Sequence, residues 1–477
     1  MYRPMLVIAT SLLFSFPFIG NCFESEKKEV DLIVLGEYLI PMTVTKSEKS
    51  GLSSRIIKNG AIAIEGLYIL DVGTQEYIKS KYTAKKTILG ENRVLLPGLI
   101  NGHTHAAMTL FRGMADDLDL MPWLNNFIFP MEAQFVSPDF IKVGTDLACW
   151  EMIKGGITTF VDMYFYPDII SQRVNKCGLR AIVGAPMIDF PSPGFKGWDD
   201  SFQSGVDYVK KWQGKNERII PALAPHAPYT VSLQHLKQVA DKARELDAPV
   251  SIHIAETLAE NKIMMDKHNN STVRSVYDSG LFDGINTIAA HMVHPDVSDI
   301  RLLATNNVGV IHNPTSNLKL AAGISPIVSM LKNQVNIGLG TDGAASNNDM
   351  DLWEEIRMVA LLQKFKEGDP TVIPAYAALK MATSDGAKAI GLENLVGQLK
   401  PGLRADVIQV SLDELRLKPM YNIISHLVYV VDSQDVVTSI VSGKILMEDK
   451  IVLTIDEKKL GESIELVSRR IKSVLKR

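Results

Sequence analysis

One feature narrows the fold of this chain more than any other: an alternation. Between Pro97 and about Gly391, short apolar runs of strand character take turns with longer amphipathic stretches. The strand-like runs are Thr158 to Asp162, Arg180 to Ala185, Ile219 to Ala224, Val250 to Ile254, Thr287 to His291, Gly309 to His312 and Asn336 to Gly340. Between them, stretches such as Ser232 to Leu246 place apolar residues at helical spacing. Strand followed by helix, repeated about eight times, predicts an α/β chain folded as a (β/α)8, TIM-like barrel over residues 96–401.

The flanks have a different character. Val30 to Val34, Ala61 to Ile64 and Tyr68 to Val72 read as strands, with Glu65-Gly66 as a turn. Strand character returns at Ala405 to Val410 and Val436 to Val441. Residues 28–95 and 402–455 are therefore expected to build one small β-sandwich domain from both chain ends, and residues 456–477 a charged C-terminal helix.

Residues 1–22 read as a signal or lipoprotein-type export segment. Arg3 precedes the apolar run Met5 to Ile19, and the charged run Glu24 to Glu29 follows it. The apolar run is too short to span a membrane comfortably. Cys22, after Ile19-Gly20-Asn21, loosely resembles a lipoprotein cleavage site. An exported chain, periplasmic or lipid-anchored at Cys22, is the expectation, and a cytoplasmic one the alternative. A net charge of −4 and a pI near 6.2 carry no basic footprint for nucleic acid, which leaves small-molecule chemistry. The three cysteines, Cys22, Cys149 and Cys177, form no close pair, so any metal must be held by histidine and carboxylate. Cys149 and Cys177 read as two buried thiols, with a disulfide between them as the alternative.

In a barrel of this kind the chemistry sits at the C-terminal ends of the strands. His103 and His105 lie two apart, so on an extended strand both point to one side. His253 ends the apolar run Val250 to Ile254, with Glu256 three residues on; His291 closes Thr287 to His291. Asp342 follows a buried run and is bracketed by Gly340 and Gly343. A carboxylate there is costly unless it is paired or ligates a metal. Any one of these histidines alone reads as structural, but four such events at successive strand ends point to a divalent cation. Three or more such ligands with an open position suit zinc, with Fe2+ or Mn2+ as alternatives by ligand type. Such a cation lowers the pKa of bound water towards roughly 7. Glu256 is then placed to shuttle a proton.

These residues resemble those of the amidohydrolase superfamily, and the resemblance covers essentially all of the chain beyond the N-terminal segment. It implies a site built from a first-strand histidine pair, a histidine after the fifth strand, another after the sixth and an aspartate after the eighth. His103, His105, His253, His291 and Asp342 match these positions. Two-metal members carry a lysine after the fourth strand. Arg180-Ala181-Ile182-Val183-Gly184-Ala185 ends without one, which implies one Zn2+ per chain.

Within the superfamily the chain is similar to the methylthioadenosine/S-adenosylhomocysteine deaminases. The motifs are Phe160-Val161-Asp162-Met163-Tyr164-Phe165, His312-Asn313-Pro314-Thr315-Ser316-Asn317-Leu318-Lys319-Leu320 and Leu339-Gly340-Thr341-Asp342-Gly343-Ala344-Ala345-Ser346-Asn347-Asn348. The resemblance implies that Glu132 holds the ribose hydroxyls, that Trp123 lines the nucleoside pocket and that His226 contacts substrate. A carboxylate can accept two hydrogen bonds from vicinal hydroxyls, and an aromatic face can cover a ring or a thioether. It also implies zinc on His103, His105, His253 and Asp342, with Asp342 accepting a proton from water, His291 orienting the nucleophile and Glu256 protonating the purine ring. In one respect the chain departs from the family. No arginine stands near Gly184, and the loop Asp189 to Asp200 offers only Lys196. That favours methylthioadenosine or adenosine over S-adenosylhomocysteine. The rivals are a guanine or pterin deaminase, a triazine chlorohydrolase and, from another class, an exported nucleoside-binding protein without turnover. A homo-oligomer is expected, but no residue pattern derives it.

Overall fold

The computed structural model describes residue 1, residues 27–43 and residues 56–475. Apart from its first residue, the export segment expected over residues 1–22, with Cys22, lies outside them. Among the described residues no helix is long and apolar enough to cross a membrane.

The strands follow in chain order. The N-terminal set is β1 (Lys28–Leu39), β2 (Ile57–Glu65), β3 (Tyr68–Thr74), β4 (Tyr82–Ile88) and β5 (Arg93–Pro97). The central set is β6 (Leu99–Thr104), β7 (Ile157–Met163), β8 (Arg180–Met187), β9 (Ile219–Pro225), β10 (Val250–Ile254), β11 (Thr287–His291), β12 (Gly309–His312) and β13 (Asn336–Leu339). The C-terminal set is β14 (Val407–Ser411), β15 (Val436–Val441), β16 (Lys444–Glu448) and β17 (Ile451–Val452).

The central eight pair in parallel, each with its neighbour in sequence, and form a nearly closed barrel. Almost every barrel-strand residue is buried, because helices cover the outside and Ile100, Val161, Ile182, Ala222, Ile288 and Ile311 pack together within it. The helix Leu233–Leu246 shows how the sequence sets the outer layer. Ser232 caps it by accepting from the His235 N–H, and Leu236, Val239, Ala240 and Ala243 form its buried stripe.

The first and last barrel strands meet at a seam. Asn101 Oδ1 accepts from the Thr341 N–H at 3.0 Å, and its amide donates to Thr341 Oγ1 at 2.8 Å. The Asp342 N–H donates to the His103 carbonyl at 3.0 Å. Gly340 permits this approach: a Cβ there would sit 2.4 Å from Asn313 Oδ1 and 2.9 Å from the His103 nitrogen.

Both chain ends join in one nine-stranded sheet, ordered β17-β16-β15-β14-β5-β1-β2-β3, with β4 also on β1. β1 pairs antiparallel with β2 along one edge and shares the other between β4 and β5. The segment entering β14 bonds back to β3 through Ile69 and Leu403, so the sheet curls around Leu32, Val34, Ile62, Ile64, Val407 and Ile440. A buried ion pair ties this sheet to the barrel: the Arg180 guanidinium, at the start of β8, meets both oxygens of Asp406 at 3.2–3.3 Å and the Ser442 hydroxyl at 2.8 Å. The region expected to be strands alone also contains the helix Gln75–Lys81, for a local reason: Thr74 caps it, Glu76 sits in its first turn and Lys79 and Lys81 in its last. The C-terminal helix, Glu457–Leu475, lies beside the helix Pro138–Lys154, where the Trp150 indole donates to Glu457 at 2.9 Å. Cys149 and Cys177 are free, buried thiols.

Candidate active site

The strand ends bring His103, His105, His253 and Asp342 into one cluster, with one ligand atom from each lying within 4.8 Å of all the others. His105 Nε2 is 3.2 Å from His253 Nε2, and both His103 Nε2 and His105 Nε2 are 3.3 Å from Asp342 Oδ1. A tetrahedron with bonds of about 2.1 Å has edges of about 3.4 Å. The remaining hydrogen bonds leave the nitrogens free for an ion. His105 and His253 spend Nδ1 on the carbonyls of Met163 and His226, each at 2.6 Å, which leaves Nε2 of both facing the centre. Among the described residues, neither ring nitrogen of the fully buried His103 has a hydrogen-bond partner, Nε2 meeting only the Asp342 carboxylate at 3.3 Å. Burial holds His103 down at about 4 and pulls His253 well below its ordinary value, which favours the neutral imidazole that binds metal, whereas at His105 the Asp342 carboxylate outweighs burial and pulls the ring up to about 9. Two orphaned nitrogens on a buried ring and four converging donors fit a divalent metal.

Beside this cluster stand Glu256 and His291. Glu256 Oε2 lies 3.9 Å from His291 Nε2, which is 4.0 Å from Asp342 Oδ2. His291 donates through Nδ1 to Asn317 Oδ1 at 2.8 Å, so Nε2 is its free atom toward the site. Asp342 Oδ2 accepts from the hydroxyls of Ser316 at 2.7 Å and Ser346 at 3.2 Å. Burial raises the Glu256 carboxyl above the usual carboxylate range. Several of these residues leave their strands through left-handed backbone: φ is +53° at Ala255, +75° at His291 and +63° at Asp342.

The cluster forms the floor of a pocket of about 680 Å³, mouth included. Every residue singled out from the sequence lies in this region: Trp123, Glu132, His226, Glu256, His291 and Asp342 line it with His105 and His253, and His103 is buried beneath. The rest of the wall is mostly apolar, including Leu120, Leu124, Ile128, Phe129, Pro186 and Ile188. The Trp123 indole N–H is spent on the Ala115 carbonyl at 3.2 Å, so only its ring faces inward. Glu132 is buried, and burial pushes its carboxyl up to about 7 against the pull of the Tyr164 hydroxyl, which donates to it at 2.8 Å.

Among the described residues, no lysine or arginine lines the pocket. Arg112 is paired with Glu151 and Arg173 with Asp146, and Lys196 is exposed. Sequence reasoning missed the side chains of Tyr164, Ser316, Asn317 and Ser346. It also passed over three buried carboxylates. Asp162 accepts from the Ala106 N–H and the Thr104 hydroxyl below His105. Glu355 accepts from the Thr315 N–H and the Asn347 amide. Glu260 clamps the backbone at Glu256, and the pattern Thr257-Leu258-Ala259-Glu260, a capping-box spacing, was the signal for it.

A parallel barrel with three imidazoles, a carboxylate and a second buried carboxyl at its C-terminal rim defines a metal-dependent hydrolase. The comparisons make this more specific. Residues 94–446 match the model of the amidohydrolase family. A 5-methylthioadenosine/S-adenosylhomocysteine deaminase of Carboxydothermus hydrogenoformans is 46% identical over 401 residues, 84% of this chain and 91% of that protein. A 5'-deoxyadenosine deaminase of Methanosarcina mazei is 41% identical over 442 residues, 92% of this chain and 98% of that protein. The crystal structure of an adenosine deaminase from Xanthomonas campestris with bound zinc superposes with a TM-score of 0.89 at 33% identity, covering 94% of this chain and all of the other. The chain belongs to the amidohydrolase family and, within it, to the methylthioadenosine/S-adenosylhomocysteine deaminases. It is a metal-dependent hydrolytic deaminase.

Proposed function

We propose that this enzyme deaminates an adenosine-type nucleoside whose 5′ substituent carries no carboxylate, with one zinc ion per chain. The observation that carries the reading is the pairing of Glu132 with the metal cluster in one pocket. A buried carboxylate opposite a hydrolytic centre needs hydroxyls to hold, and a ribose supplies two vicinal ones. Relatives named for methylthioadenosine, S-adenosylhomocysteine and 5'-deoxyadenosine support the nucleoside, and a zinc-bound neighbour supports the metal. A guanine, pterin or triazine leaves Glu132 without those hydroxyls.

Zinc, held by His103, His105, His253 and Asp342, would supply a Lewis acid that lets water act as a nucleophile near neutral pH. The chain's residues handle the protons. Asp342 accepts a proton from the attacking water, steadied by the Ser316 and Ser346 hydroxyls. His291, fixed through Nδ1, turns Nε2 toward the water's path. Glu256 delivers a proton to the ring nitrogen beside the amino-bearing carbon, so attack leaves no charge on the ring. Asp342 then passes its proton to the amino group, which leaves as ammonia, while the proton of the added hydroxyl returns to Glu256 as the carbonyl of the inosine-type product forms. Trp123 and the apolar wall exclude competing water.

The preference among tails rests on the missing cation. A carboxylate brought into a partly closed pocket must be paired or left solvated. Charge-assisted hydrogen bonds are worth roughly 1.5–3 kcal/mol each. Losing one or two costs from about ten-fold to about twenty-thousand-fold, since about 1.4 kcal/mol is a factor of ten. The test follows loss of adenine absorbance with methylthioadenosine, 5′-deoxyadenosine, adenosine, S-adenosylhomocysteine and guanine in parallel. The first three are expected to outrun S-adenosylhomocysteine at least tenfold in kcat/KM. Comparable constants would refute the tail argument, and guanine as the best substrate would refute the nucleoside reading.

A further inference from the structure

Among the described residues, Glu260 is a buried carboxylate whose two oxygens both hold backbone N–H groups of one turn. It is 2% exposed, and one oxygen accepts from the Ala255 N–H at 2.9 Å, the other from the Glu256 N–H at 2.8 Å. The turn needs such a clamp. Ala255 is left-handed at φ +53°, a conformation that brings the alanine Cβ too close to the following carbonyl oxygen. Its carbonyl is held from the other side by the N–H groups of Val293 and His294, at 2.9 and 3.0 Å. Glu260 itself stands at the third position of the helix Leu258–His268, and its N–H donates to the cap residue Thr257 at 3.2 Å. In an ordinary capping box its side chain would serve the cap's own amide; here it reaches past the cap to the two residues before it. Without this turn the chain leaving β10 would run on past the pocket, and the Glu256 side chain would not face His291.

We propose that Glu260 is a positioning residue for the deamination: it touches no substrate, and it fixes the backbone at Ala255 and Glu256 so that the Glu256 carboxyl meets the purine ring in register. The inference rests on the reading of Glu256 as the proton carrier, and it separates Glu260 from residues that merely hold the fold. A structural residue lowers activity through metal loss, weakened substrate binding or unfolding. Glu260 acts only through Glu256.

The experiment is a double-mutant cycle on the full chain, with Glu260→Gln, Glu256→Gln and the double variant, reading kcat, KM and metal per chain. Glu260→Gln keeps the shape but presents an amide N–H₂ to one of the two backbone N–H groups. Its kcat is expected to fall about 10- to 100-fold, with KM and metal content near wild type, because misplacing a reacting group by about 1 Å costs up to roughly 10²-fold. In the Glu256→Gln background the same change should cost almost nothing, since there is no proton carrier left to misplace. Should Glu260→Gln fail to fold, Glu260→Asp, one methylene shorter, serves: it reaches one amide but not both and should lose kcat less severely. A Glu260 variant with unchanged kcat, or losses that multiply in the double variant, overturns the role of Glu260 alone. A Glu256→Gln enzyme within about tenfold of wild type overturns the reading of Glu256 beneath it.

Discussion

Removing one hydroxyl from the pocket wall should change how the enzyme responds to pH. The Tyr164 hydroxyl donates to Glu132 at 2.8 Å, and both side chains are buried. Burial raises the Glu132 carboxyl to about 7, while the Tyr164 hydrogen bond and His105 pull the other way. The ionised carboxylate is the stronger acceptor for two ribose hydroxyls. Activity on ribosides should therefore fall as pH drops through about 7, where Glu132 takes up a proton. Tyr164→Phe removes a hydrogen bond to the charged form, worth roughly 1.5–3 kcal/mol. At about 1.4 kcal/mol per pKa unit, the carboxyl should rise by about one to two units. At pH 7 its ionised fraction would drop from about one half to between about one tenth and one hundredth, so kcat/KM should fall about 5- to 50-fold. At about pH 9.5 the deficit should shrink to less than about 1.5-fold. The assay is kcat/KM for methylthioadenosine across pH 6 to 9.5, for wild type and variant. 2′,3′-Dideoxyadenosine, which has no hydroxyls for Glu132, serves as the control and should be indifferent to the change. A uniform loss at every pH, or an equal loss on the dideoxy substrate, would refute the reasoning by showing that Tyr164 only fills space.

Three further outcomes follow from the structure. His253→Ala should lose metal and activity together, since it removes one of four converging ligands; elemental analysis of the purified variant is the check, and it should find about one equivalent in the wild type. Asp406→Ala leaves the Arg180 guanidinium buried with no counter-charge and should cost about 3–5 kcal/mol, read from the first denaturant transition, whereas the apolar pair Arg180→Met with Asp406→Leu should cost clearly less than the single change. The apolar run Met5 to Ile19 predicts export, so the N-terminus of the mature protein in its native host should begin at or beyond Cys22, and recovery of Met1 in the cytosolic fraction would refute it.

Local pattern carried the barrel and the residues that cluster at its rim. The runs Val250 to Ile254, Thr287 to His291 and Gly309 to His312 are the strands β10, β11 and β12 to the residue. Their apolar character marks them without any knowledge of neighbours, and a histidine ending such a run is conspicuous. Illegible were the groups whose meaning depends on a distant partner. Tyr164 reads as one more aromatic in an apolar strand end until Glu132, 32 residues earlier, is seen beneath its hydroxyl. Glu355 reads as a solvated carboxylate in the first turn of the helix Leu352–Glu367, yet it is fully buried and holds Thr315 and Asn347. The absent arginine was legible, because an absence at a named position needs no partner. Where Arg112 and Arg173 point needed the structure, since both are committed to carboxylates that the sequence does not pair with them.

The seam between β6 and β13 has a consequence for the order of assembly. Asn101 and Thr341 are 240 residues apart in the chain, and His103 and Asp342, which flank the same joint, stand on opposite sides of it. Contacts of that separation form late, after the intervening chain has lost most of its freedom. A ribosome that has delivered His103, His105 and His253 has therefore made three ligands of an incomplete cup. Only when residue 342 emerges and the last strand docks on the first can a cation be enclosed. A cation held by both His103 and Asp342 would tie the two sides of that joint together.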